Sequence, residues 1–200
     1  MPPVSDETSS QETKATAEPD WTATTAERAY YHQDKTFIKR SLRNSEYMRT
    51  QKGTIHIPRL GKERLQNEAA CLRFIHKNTD IPVPKLYGSF EVDGSYFLIT
   101  EYVEGVSMSD LDETEKGVVK AEIFRHLETM RGVRSGRIGG PGGLKLVIPP
   151  WRALHASEKD RERSMVSVIT ICSQHNVIVD PGTLKIAAII DWEYGGFWPE

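Results

Sequence analysis

The chain has 200 residues, 38% hydrophobic and 27% charged, and its 26 basic against 28 acidic side chains leave a net charge of −2. That balance excludes a dedicated nucleic-acid binder, which needs a basic footprint to neutralise phosphates, and no apolar run approaches the roughly 18 residues of a membrane span. Cys71 and Cys172 stand far apart with no CxxC spacing; they read as free thiols of a reducing compartment, so a cytoplasmic, non-membrane protein is expected.

Residues 1–20 hold five acids, one lysine, three prolines and no aromatic. Their net charge of −4 leaves +2 on residues 21–200. Such a segment buries too little apolar surface to offset its ordering entropy, and the expectation is a disordered acidic tail. From Trp21 the pattern turns globular. Thr36-Phe37-Ile38-Lys39 reads as a short strand, and residues 61–77 as a helix with Leu65, Ala69, Leu72 and Ile75 at helical spacing. Ile81-Pro82-Val83-Pro84 ends that helix. Alternating apolar residues on either side of Asp93-Gly94 predict a hairpin over 85–102. A second helix is predicted over about 113–131, presenting Val119, Ile123, Leu127 and Met130 on one face. Residues 132–165 read mostly as loop, including the glycine run 139–143. A last hairpin runs from Asn176 through a turn at Asp180-Pro181-Gly182 to Ile190 and closes on Asp191.

Two constellations carry chemistry. On the first helix, at 100° per residue, Leu65, Ala69, Leu72 and Ile75 cover an arc of about 120°, and Glu68 falls inside it. A carboxylate on a core-facing stripe is costly unless paired. Lys39 on the preceding strand is one candidate partner; Arg64 or Lys62, with Glu68 at the edge of the stripe, is the other. The second constellation is the open end of the last hairpin, where antiparallel pairing sets Asn176 beside Asp191. An amide oxygen and a carboxylate together make a hard-oxygen site suited to Mg²⁺ with substrate phosphates. A strand-end asparagine and a capping aspartate would look the same. The six histidines show no HExxH or HxH spacing, which argues against a transition-metal site.

In order along the chain, Phe37-Ile-Lys39, Asn67-Glu68-Ala69, Leu98-Ile-Thr-Glu-Tyr-Val-Glu-Gly105 and Val177-Ile-Val-Asp180 through Ile189-Ile-Asp-Trp-Glu193 resemble the aminoglycoside-phosphotransferase-like kinases. The likeness covers about 21–200 and is nearest to a fungal branch. It implies an α+β, protein-kinase-like two-lobe fold: an N-lobe of sheet plus helix over 21–103 and a partial helical C-lobe over 104–200. The implied activity is ATP-dependent phosphoryl transfer to a small-molecule hydroxyl, with ATP and Mg²⁺ as cofactors. By resemblance Lys39 grips the phosphates and Glu68 orients it. The backbone of Glu101 and Val103 meets adenine, with Tyr102 packed beside it; Asp191 is the main metal ligand and Asn176 holds the second Mg²⁺. No glycine-rich phosphate loop precedes Lys39, since Trp21 to Lys35 contains no glycine.

The family pattern breaks in two places. The sequence stops at Gly195-Gly196-Phe197-Trp198-Pro199-Glu200, where relatives continue into further C-lobe helices that form much of the acceptor pocket. The general-base aspartate expected five residues before Asn176 is Ile171. Three readings stay open: a small-molecule kinase, a pseudokinase that binds nucleotide without turnover, and an inactive truncated product. One detail bears on the loss. Relatives read Phe-Cys-His-Asn-Asp-Leu at this point, and TTC TGT CAT AAC GAT CTG T read one base later encodes Ser-Val-Ile-Thr-Ile-Cys, which is residues 167–172 here. A short frame slip would account for the missing aspartate.

Overall fold

The computed structural model describes residues 20–135, 139–141, 165–167 and 173–199. The acidic tail before Asp20 and most of the 132–165 loop lie outside the described residues, as does Ile171. The N-terminal part is a five-stranded antiparallel sheet in the order β1-β2-β3-β5-β4. Its strands are β1 (Trp21–Thr24), β2 (Arg28–Gln33), β3 (Thr36–Ser41), β4 (Leu86–Val92) and β5 (Ser95–Glu101). The β4–β5 turn forms as its sequence predicts: Asp93 and Gly94 both take positive φ, 48° and 71°, which suits a tight hairpin between right-twisted strands. The β1 and β2 strands are an addition to the sequence reading: Trp-Thr-Ala-Thr alternates apolar with polar over only four residues, too short a run to signal a strand by itself, and Arg-Ala-Tyr-Tyr-His-Gln does not alternate. Their turn is set by Thr25, whose Oγ1 accepts from the amides of Glu27 and Arg28 at 3.2 and 3.1 Å.

Helix α1 (Gly61–Asn78) lies across this sheet. Leu65 and Ala69 are fully buried against Leu98 of β5. One turn further along, Cys71, Leu72 and Ile75 enter a second core, which gathers Met108, Leu111, Val119, Met130, Val177, Val179, Ile186, Ile189 and Trp192. The helix therefore belongs to both cores.

The second core is built from α2 (Glu113–Gly132) and the three-stranded sheet β6-β8-β9, and β7 pairs with β10 in a separate two-stranded sheet. These strands are β6 (Val106–Ser107), β7 (Met165–Ser167), β8 (Val177–Asp180), β9 (Lys185–Ile189) and β10 (Phe197–Pro199). Asp112 caps α2 reciprocally with Glu115, and the predicted face packs inward: Val119 and Met130 are buried, with Ile123 and Leu127 against them. Asn176 does not open a strand, as expected from sequence; it ends the 3-10 turn Gln174–Asn176, and β8 starts at Val177. The chain passes between the two parts at Gly105, with φ 144°, where a Cβ would stand 2.6 Å from the Val179 carbonyl oxygen. Only glycine fits there. Gly139 pairs its backbone with Phe197, and residues 142 and 143 of the glycine run lie outside the described residues. Among the described residues no helix is long and apolar enough to cross a membrane.

Candidate active site

A cavity of about 180 Å³ opens between the two cores. Phe37 from β3 and Leu72 from α1 line it with Ile178 and Ile190, and the 101–103 segment forms one side. At its inner end the Lys39 Nζ donates to Glu68 Oε1 at 2.7 Å and to Asp191 Oδ1 at 3.1 Å. Of the two partners proposed for Glu68, the structure brings it Lys39. Arg64 turns to Glu27 and Glu193, and Lys62 to Glu91. Residue alternation along β3 explains the placement: Lys39 pairs across to Leu98, so it shares the sheet face that α1 covers.

Burial alone would push the Lys39 ammonium down, but the Glu68 and Asp191 charges outweigh it and hold the group above the usual lysine range. Burial raises Glu68 above the ordinary carboxylate range despite Lys39, and the Asp191 charge adds to the rise. Asp191 is held low: burial opposes this, and Lys39 prevails over it. The backbone at Asp191 is left-handed, with φ 64°. A non-glycine residue pays for that conformation only where its surroundings fix it, and such positions cluster at functional sites. The neighbour of Asp191, Trp192, is 1% exposed, and the Trp192 indole N–H donates to the Ile189 carbonyl at 2.7 Å.

Oxygens of Glu68, Asp191 and Glu193 lie within 4.8 Å of one another. Lys39, Arg28 and Arg64 stand against these three carboxylates, so the space among them is charge-balanced and suits no additional cation. Asp191 lines the cavity with its side chain 38% exposed, a hard-oxygen donor that could hold a divalent ion on that side. Asn176 stands beside it through the backbone: the Ile190 amide donates to the Asn176 carbonyl at 2.9 Å.

Glu101 and Val103 both line the cavity. The Glu101 amide donates to the Lys85 carbonyl at 2.8 Å and the Tyr102 amide to the Lys35 carbonyl at 2.8 Å, which pins this segment to the sheet on two sides. The Tyr102 ring borders the cavity while stacking on His32, centroids 3.8 Å apart.

Sequence reasoning assigned nothing to Glu193, Arg28 or Asn67, and all three are buried here. Arg28 pairs with Glu193, as does Arg64 at 2.6 Å. The Asn67 Nδ2 donates to the carbonyls of Glu193 and Gly195 at 2.9 and 2.7 Å. One sequence signal was available: two adjacent polar residues, Asn67 and Glu68, flanked by apolar stripe positions demand two buried partners.

Residues 21–164 match the phosphotransferase enzyme family. Comparison with the curated proteins gives no match. Among solved structures, aminoglycoside phosphotransferase APH(3'')-Id from Streptomyces rimosus is 14% identical with a TM-score of 0.60; the match covers 88% of this chain and 72% of that one. Aminoglycoside-3'-phosphotransferase of type VIII is 16% identical at a TM-score of 0.58, covering 88% and 70%. A thermostable mutant of APH(4)-Ia in ternary complex with ADP and hygromycin B is 12% identical at 0.56, covering 89% and 67%. The fold is that of these proteins: α+β and two-lobed, with an antiparallel N-lobe sheet and few helices.

Proposed function

This chain belongs to the phosphotransferase enzyme family, and from that premise we propose that its cavity takes Mg·ATP for phosphoryl transfer to a small-molecule hydroxyl. The observation that carries the reading is the Lys39–Glu68–Asp191 chain of contacts at the inner end of the cavity. Bound there, Mg·ATP would supply a transferable phosphoryl group whose charge the ion partly neutralises. Lys39 would hold phosphate oxygens, with Glu68 keeping the ammonium in place. Asp191 would be the main metal ligand, and Asn176 would hold the second Mg²⁺. Glu101, whose amide is already engaged with Lys85, would offer a base its carbonyl, and Val103 its backbone. The aminoglycoside phosphotransferase structures with bound nucleotide and antibiotic support a nucleotide and a small polar acceptor. The lobe boundary at 103/104 and a cytoplasmic location belong to the same proposal.

Ile171 favours a second reading, binding without efficient turnover, since the loss of a general base typically costs on the order of 10²–10⁴ in rate. A thermal-shift titration of the full chain with Mg·ATP tests the site, because only a folded site is stabilised by its ligand. Absence of any shift at millimolar nucleotide would remove the proposal. ATP consumption over a panel of small polyhydroxylated and aminated acceptors then separates kinase from binding module. If the frame slip is the cause, Ile169→His with Ile171→Asp raises turnover, and the transcript across codons 160–180 contains an out-of-frame His-Asn-Asp. An in-frame transcript with no such reading supports the pseudokinase.

A further inference from the structure

The β1–β2 turn has no glycine, yet it stands where a phosphate-covering loop would. The β3 register places Thr36 opposite Glu101 at the 101–103 side of the cavity and runs through Lys39 to Ser41, which pairs with Arg28. The turn at residues 25–27 therefore lies beyond Lys39, at the end of the sheet away from the 101–103 segment. A nucleotide with its base at that segment and its phosphates at Lys39 runs toward this turn.

A chain of alternating charges starts at the turn and returns to it. His56 Nε2 meets Glu27 Oε1 at 2.8 Å; Glu27 Oε2 accepts from Arg64 at 2.7 Å; Arg64 donates to Glu193 Oε1 at 2.6 Å; and Glu193 Oε2 accepts from Arg28. Glu27 and Arg28 are consecutive, so both arms grip the same turn. Arg28 and Glu193 are 3% and 4% exposed, and Arg64 sits on α1 one helical turn before Glu68. The partner at the centre, Glu193, is two residues from Asp191.

We propose that Glu193 is a positioning residue: through Arg28 and Arg64 it clamps the glycine-free β1–β2 turn and α1 onto the segment bearing Asp191, fixing the place of the phosphates and their metal. A glycine-rich loop meets phosphates with flexible backbone amides. This turn lacks that freedom, and buried charge-assisted hydrogen bonds hold it instead. The inference rests on the nucleotide reading above and goes beyond it in assigning a role to residues that touch no nucleotide.

The test compares Mg·ATP with adenosine by calorimetric titration of the full chain, in wild type, Glu193→Gln and Glu27→Gln. Adenosine uses the base pocket alone and is indifferent to the clamp. Glu193→Gln is expected to weaken Mg·ATP at least 10-fold with adenosine changed less than 2-fold, and Glu193→Asp to restore part of the loss. Glu27→Gln alters the exposed arm, leaves the buried pair intact, and is expected to weaken Mg·ATP about 3-fold with adenosine unchanged. If Glu193→Gln no longer binds adenosine, the fold is damaged and Glu27→Gln decides. In a variant that still binds adenosine, equal weakening of both ligands, or no change in either, overturns the clamp. Wild type that binds neither overturns the nucleotide reading, and the clamp falls with it; wild type that binds both, with variants indistinguishable from it, overturns the clamp alone.

Discussion

Lys39 and Arg40 are neighbours on β3, both largely buried, each facing a glutamate, and they end in opposite conditions. Arg40 points to the face away from α1 and is saturated. Its guanidinium holds Glu46 through two contacts of 2.6 and 2.8 Å, the Tyr31 hydroxyl at 3.0 and 3.2 Å, the Ser41 carbonyl and the Ser95 hydroxyl. Glu46 is pushed down to about 2, first by its hydrogen bonds from Arg40. Lys39 has two carboxylates, one of them open to a cavity, and the second oxygen of its glutamate, Glu68 Oε2, is buried with no partner. Glu68 is pushed up where Glu46 is pushed down. A completed set of hydrogen bonds is a clasp; an incomplete one beside a cavity is a site waiting for a ligand.

The contrast breaks first under exchange of the two cations. Lys39→Met should weaken Mg·ATP by about 100-fold, equivalent to ~2.7 kcal/mol, measured by calorimetry. Arg40→Met should leave that affinity within about 3-fold and instead lower the stability of the fold by about 2–3 kcal/mol in urea denaturation, because it leaves Glu46 without its main partner. If both variants lose nucleotide equally, the two sides of β3 are not functionally distinct.

The next effect separates two aspartates of one hairpin. Asp191→Ala should remove the Mg²⁺-dependent part of ATP binding, seen as equal affinities with and without the ion. Asp180, at the turn, accepts from the Gly182 amide at 2.8 Å and is fully exposed. Asp180→Ala should leave ligand binding unchanged. Equal losses would mean that the hairpin matters only as scaffold.

The smallest effect is a pH dependence. Glu46 sits at about 2 in the fold against 4.5 for the free group, so its contribution to stability is complete above pH 4.5 and fades as pH falls from there toward 2. Denaturation midpoints measured from pH 6 to pH 2 should show a decline that is shallower in Glu46→Gln. Parallel curves for the two proteins would show that the clasp contributes no proton linkage.

The elements with strong local signals were legible: the α1 stripe, the Asp93-Gly94 hairpin, the α2 face and the closing hairpin all sit where periodicity and turn chemistry place them. The β1–β2 hairpin was not, because its stability comes from pairing with β3 and from Arg28 meeting Glu193, a residue 165 positions away. Within the site, Lys39 and Glu68 could be matched because a buried charge on a helix stripe calls for an opposite one. Glu193 could not, since its burial is created by two arginines from different elements and leaves no trace in its own neighbourhood. Asn176 was displaced from strand to turn by a single residue, a boundary that local pattern does not resolve.

Because α1 is packed into two cores and tied by Asn67 to the carbonyls of Glu193 and Gly195, it cannot swing aside without tearing both cores. Proteins that switch an ion pair off by moving one helix need that helix to be loosely held on one side. Here α1 is held on both sides, so the packing that builds the two cores also keeps Glu68 set against Lys39.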